Sequence, residues 1–176
     1  FRRLVLPALA AATIFAGSVT AQAEMVLHRG NGAEPETLDP AKSTGVTEAN
    51  IEADIFEGLT TYAPNGDIIP GAAESWDISD DGKTYTFHLR KNAKWSNGDP
   101  VTAGDYVYAW QRLADPATAS SYAWYAELAQ IENATAVIAG EKPPTDLGVK
   151  AVDDLTLEVK LSQPLPYFVK MTVHSA

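Results

Sequence analysis

Three clusters of turn residues, set between short runs of alternating apolar and polar residues, constrain this chain more than any other feature. Residues 59–63 and 68–69 flank Pro64-Asn65-Gly66-Asp67. Residues 75–78 and 84–90 flank Asp80-Asp81-Gly82, and residues 149–152 and 155–161 flank Asp153-Asp154. Connections this short can only return a strand antiparallel to its predecessor, because a parallel partner needs a crossover of a dozen or more residues. In the longest run, Tyr85, Phe87 and Leu89 alternate with Thr84, Thr86, His88 and Arg90, so one face is predicted buried and the other wet. Leu155, Leu157, Val159 and Leu161 repeat that period.

Helical signals are interleaved with these hairpins. Thr47 reads as an N-cap, with Val46 stapling onto Ile51; Ile51, Ile55 and Leu59 share a face, and Gly58 sits where a C′ residue would. Thr102 opens a second helix with Asp105 three residues on, a capping box. Tyr106, Val107, Trp110 and Leu113 form its stripe, and Asp115-Pro116 stops it. The stripe predicts that Tyr106 and Trp110 are core residues. Residues 120–131 are a further helix candidate, residues 25–29 a short strand, and 138–146, with Pro143-Pro144, a loop. The balance predicts an α+β fold, strand-rich and mostly antiparallel.

The N-terminus speaks to address. Arg2-Arg3 precedes an apolar stretch over residues 4–19, and Ala21-Gln22-Ala23 offers the small residues of a cleavage site. Residues 1–23 are therefore expected to be a cleavable export signal rather than a membrane anchor, because the apolar core is short. No cysteine occurs anywhere, which excludes lipid attachment after cleavage and leaves stability to the core rather than to disulfides. The chain carries a net charge of −10, and more after loss of two arginines, so nucleic acid and anionic lipid are disfavoured partners. The apolar run Tyr167-Phe168-Val169 stops soon after with no terminating signal, and the expectation is an N-terminal fragment of a longer protein.

Chemistry is hard to find. There is no glycine-rich phosphate loop, no metal-ligand spacing and no nucleophile elbow. Asp80-Asp81 and Asp153-Asp154 sit in turns, where solvated carboxylates are the plain reading. His88 falls on a wet strand face, and His28 and His174 have no acidic or serine partner at a recognisable spacing. No catalytic residue, metal ligand or cofactor is expected.

Taken together, Thr37-Leu38-Asp39-Pro40, Phe56-Glu57-Gly58-Leu59, Pro70-Gly71-Ala72-Ala73-Glu74-Ser75-Trp76, Tyr85-Thr86-Phe87-His88-Leu89-Arg90 and Trp95-Ser96-Asn97-Gly98-Asp99-Pro100-Val101-Thr102-Ala103 resemble the family 5 extracellular solute-binding proteins, the ligand receptors of ABC importers for peptides and nickel. Trp110-Gln111-Arg112-Leu113-Ala114-Asp115-Pro116 and Asp146-Leu147-Gly148-Val149-Lys150-Ala151 are similar to its oligopeptide-binding members. The resemblance implies a periplasmic-binding-protein-like fold of two lobes that close on a ligand, with a mixed sheet in the first lobe and a strand-rich extra domain. Residues 24–56 would begin the first lobe, 57–165 would be mostly the extra domain, and 166–176 would start the return. It further implies a monomeric periplasmic receptor, not an enzyme, that binds oligopeptides and delivers them to a membrane permease. Dipeptides, murein peptides or nickel are alternatives within the fold, and an exported hydrolase is the alternative outside it.

The same resemblance implies which residues meet the ligand. Thr44, Gly45 and Val46 match a segment whose backbone pairs with bound peptide as an added strand, a mode that uses groups every peptide has. Gly45 presents no Cβ to that contact. Tyr122 matches a cleft aromatic, offering a broad apolar face and a polar tip. Oligopeptide receptors of this family usually carry an acid at the position of Thr44, and this chain departs from them there. The residues that grip the peptide amine are implied to lie downstream of Ala176.

Overall fold

The computed structural model describes residues 25–174, and the proposed export signal lies outside them. Of a first unit, residues 25–30 are described. They hold no regular secondary structure, so the strand expected at 25–29 is not formed. A strand needs a ladder partner, and none pairs with these residues among those described.

The second unit begins at Asn31. Helix α1 spans Val46–Ile55. Strands β1 (Thr60–Tyr62) and β2 (Ile68–Pro70) form a two-stranded hairpin. Strands β3 (Ala73–Ile78) and β4 (Thr84–Leu89) follow, then α2 (Ala103–Ala114), α3 (Trp124–Leu128) and α4 (Ala134–Ile138). Strands β5 (Val149–Asp153) and β6 (Thr156–Lys160) and the short α5 (Phe168–Met171) complete it. β3 to β6 make one antiparallel sheet in the order β3-β4-β6-β5. Among the described residues every strand pair is antiparallel: the short turns require it for β1–β2, β3–β4 and β5–β6, while β4 and β6 meet from distant parts of the chain.

The turns work through their polar side chains. In the first hairpin the positive φ, +87°, falls on Gly66, while Asn65 donates to Asp67 at 2.7 Å. Asp81 accepts the Ser79 hydroxyl and the Lys83 N–H, and Asp153 accepts the Leu155 N–H and the Thr156 hydroxyl. Each carboxyl is held below the usual range by those bonds. These acids are turn formers. His88 lies on the wet face of β4, 2.8 Å from Asp77 on β3.

The buried face of β4 (Tyr85, Phe87, Leu89) and that of β6 (Leu157, Val159) supply the core. α2 packs against β5 and β6 through the expected stripe. Its start is fixed by Asp105, whose carboxylate accepts the Thr102 N–H at 2.7 Å, and by the Ala103 N–H donating to Asp154 at the β5–β6 turn. Phe168 of α5 plugs the centre: Tyr85, Phe87 and Trp110 surround its ring at 4.7, 6.3 and 6.4 Å. The Tyr85 hydroxyl donates to the Leu165 carbonyl at 3.0 Å, so this buried polar group is satisfied.

Four local expectations are corrected. α1 buries Glu48 and Glu52, not an isoleucine stripe; Val46 and Ile55 are exposed. The preceding loop claims both carboxylates with N–H and hydroxyl donors, which turns the acidic face inward. Its N-cap is Gly45 rather than Thr47. The helix ends before extended Phe56, so Gly58 is no C′ residue. Gly58 is instead a close approach, where a Cβ would lie 2.6 Å from the Thr172 carbonyl oxygen. Finally, the helix expected over 120–131 is only α3, and α4 arises ahead of the expected loop from a left-handed Asn133 (φ 64°). Helices of five residues are too short to impose a readable period.

Candidate functional site

The loop before α1 is held by carboxylates at three points. Thr37 Oγ1 accepts the Asp39 N–H, and the Asp39 carbonyl accepts the N–H groups of Lys42 and Ser43, closing a tight turn through Pro40. The Asp39 carboxylate is gripped by both terminal nitrogens of Arg112 on α2, which lowers the acid's pKa and raises that of the guanidinium. Ser43 then donates to Glu52 at 3.0 Å. Glu48 accepts the Glu36 N–H and the Thr47 hydroxyl, each at 2.8 Å, and these bonds pull its carboxyl below the usual range.

Thr44, Gly45 and Val46 emerge from this frame. Thr44 is exposed and belongs to no helix or strand. Gly45 is extended, at φ −101° and ψ 161°, and Val46 is exposed at the helix entrance. An extended residue between two exposed ones therefore stands immediately before a helix.

Tyr122 lies on a separate loop. Its N–H donates to Ser120 Oγ at 3.1 Å, and its half-buried ring is 5.5 Å from Trp124 and 5.8 Å from His174. Tyr125 extends the group, 5.0 Å from His174, with its hydroxyl donating to the Met171 carbonyl. Burial pushes the Tyr125 phenol up to about 12 and pushes His174 down, against the upward pull of the Glu52 carboxylate. Glu52 thus links the two regions: it takes a bond from Ser43 beside the 44–46 segment and acts on His174 beside Tyr122. His174 is not legible as a site residue in the sequence, because its partners stand about fifty residues or more away along the chain and no spacing announces them.

An open cavity of about 560 Å³ is lined by Phe56, Trp95, Tyr106, Trp110, Arg112 and His174, among others. The Tyr106 phenol is held up by burial first, then by Glu57 and Asp105. Among the described residues no group of three or more His, Asp or Glu could hold a metal ion, and no helix is long and apolar enough to cross a membrane. The groups assembled here can donate and accept hydrogen bonds and stack. That is the chemistry of binding.

The family model for bacterial extracellular solute-binding proteins, family 5 Middle, matches residues 67–176. The periplasmic oligopeptide-binding protein OppA of Salmonella typhimurium is 56% identical over 151 residues, which is 86% of this chain and 28% of that protein. The periplasmic murein peptide-binding protein MppA of Escherichia coli is 49% identical over 167 residues, 94% of this chain and 30% of that protein. Haemophilus influenzae OppA in complex with the peptide RPPGFSPFR superposes with a TM-score of 0.80 at 55% identity, over 82% of this chain and 28% of that one. This chain therefore spans under a third of the length of those relatives.

Proposed function

The chain belongs to the bacterial extracellular solute-binding proteins of family 5, and from that premise we propose that it forms part of a periplasmic receptor that binds oligopeptides and delivers them to an ABC importer. Its matched relatives are binding proteins of the periplasm by name. The observation that carries the reading is the extended Gly45 set between exposed Thr44 and exposed Val46, at the entrance of α1. Such a stretch offers an added strand its hydrogen bonds without asking for any side chain, which suits a receptor that must accept many peptides. Tyr122, half-buried among aromatic rings, would line the cleft.

In this reading residues 1–23 are a cleaved export signal, 24–56 begin the first lobe, 57–165 are mostly the extra domain, and 166–176 turn back toward the first lobe. The receptor is a monomer that closes its lobes on the ligand, performs no catalysis and has no nucleic-acid partner. MppA supports a second ligand class, murein peptides.

Calorimetry on the intact receptor decides between them. Mixed-sequence tri- to pentapeptides binding regardless of side chain, with murein peptide no tighter, supports the oligopeptide reading. Strong preference for murein peptide selects the second. Binding of neither overturns both.

A further inference from the structure

The buried acids of α1 take no part in the ligand contacts proposed above, yet one of them touches the peptide-pairing segment directly. Glu48 is 5% exposed. Its Oε1 accepts the N–H of Glu36, twelve residues back, and its Oε2 accepts the Thr47 hydroxyl. The same carboxylate fills the space over Gly45 so closely that a Cβ there would fall on Oε2. Thr47 is tied in turn, its carbonyl accepting from Asn31, which Asn50 holds from α1. One carboxylate therefore binds the loop before the segment, binds the residue after it, and sterically sets the residue at its centre.

We infer that Glu48 is a positioning residue for ligand binding, holding Gly45 extended between Thr44 and the helix entrance at Val46, the geometry that an added peptide strand would meet. This rests on the backbone-pairing reading. A segment fixed beforehand loses less freedom when the peptide arrives, so the carboxylate acts on affinity without touching ligand. A glutamine at 48 keeps size but brings an N–H₂ where two donors now converge, and the segment loses one anchor.

The test uses the intact receptor, tetra-alanine, and tetra-alanine N-methylated at each amide in turn. N-methylation removes one backbone donor and adds bulk, so in the wild type at least one analogue should bind about tenfold more weakly, the mark of strand pairing. Glu48→Gln should weaken plain tetra-alanine by about tenfold yet weaken that analogue by roughly twofold or less, so the N-methyl penalty shrinks. Equal losses for both ligands, or no loss for either, overturn the positioning role alone. If no analogue is penalised in the wild type, backbone pairing itself falls and the inference falls with it. Should Glu48→Gln fail to fold, Thr47→Val removes the hydroxyl that Glu48 Oε2 accepts and loosens the same carboxylate from outside the segment. It should shrink the penalty in the same way, and an unchanged penalty overturns the proposal.

Discussion

Arg112 and Asp39 stand 73 residues apart in sequence and meet in a two-point grip, each terminal guanidinium nitrogen on one carboxylate oxygen. Both side chains are about a third exposed or less, at 31% and 28%. The pair joins α2, which rides on the four-stranded sheet, to the loop that leads into the 44–46 segment. Lysine cannot reproduce that fork. Arg112→Lys should cost about 1 kcal/mol of stability by denaturant unfolding, since a partly exposed pair is worth little more than that.

The same pair gives a pH dependence with a definite sign. Asp39 has a folded pKa below its ordinary value of 3.8, so its contribution is complete above that value and is lost as pH falls through the folded pKa. Asp39→Asn should flatten the acid limb of a stability-versus-pH curve below about pH 4. A limb of unchanged steepness would show that the pair does not act in this range.

Gly58→Ala should be among the most damaging single-methyl additions in the chain. The new Cβ would lie 2.6 Å from the Thr172 carbonyl oxygen, 2.9 Å from that of Val173 and 3.0 Å from that of Thr60. All three are main-chain atoms and cannot rotate away, so a cost of about 2 kcal/mol is expected from overpacking. Thermal melts of the two proteins check it, and near-equality would mean that the 58–60 and 172–173 segments part easily.

Tyr122 and Trp110 should separate site from core. Tyr122→Ala in the intact receptor should weaken peptide binding and leave the unliganded melt nearly intact, because its half-buried ring, unlike that of Trp110, is not packed against the core cluster. Trp110 packs edge-on against the buried Phe168, and Trp110→Ala should cost about 3 kcal/mol. Melts with and without peptide read both, since ligand raises the melting temperature only where it binds the folded form. A Tyr122→Ala protein that keeps the full peptide-induced shift moves Tyr122 out of the cleft.

His174 should titrate below 6.5, because burial disfavours its charged form more than Glu52 favours it. The unfolded chain then binds the proton more readily, so stability is lost as pH drops below about 6.5 and continues to fall to the folded pKa. Proton NMR of the ring gives the midpoint directly. Glu52→Gln should lower it further, and a rise would reverse the assigned roles of burial and charge.

Local features were legible in the order of residues alone. Two-to-four-residue turns forced antiparallel pairing, the alternation of Tyr85, Phe87 and Leu89 chose the buried face of β4, and Thr102 with Asp105 started α2. Each rests on contacts within a few residues, so the period and the cap residues suffice to read it. The surroundings of the candidate site were decided elsewhere. Which face α1 buries depended on the Glu36 N–H and the Ser43 hydroxyl, donors that no helical period registers. His174 gained its environment from Tyr122, Tyr125 and Glu52, and Gly58 its purpose from a carbonyl 114 residues on. Such partners are brought together only when the chain closes on itself, because carboxylates and backbone groups leaving water must find hydrogen bonds wherever the fold happens to supply them.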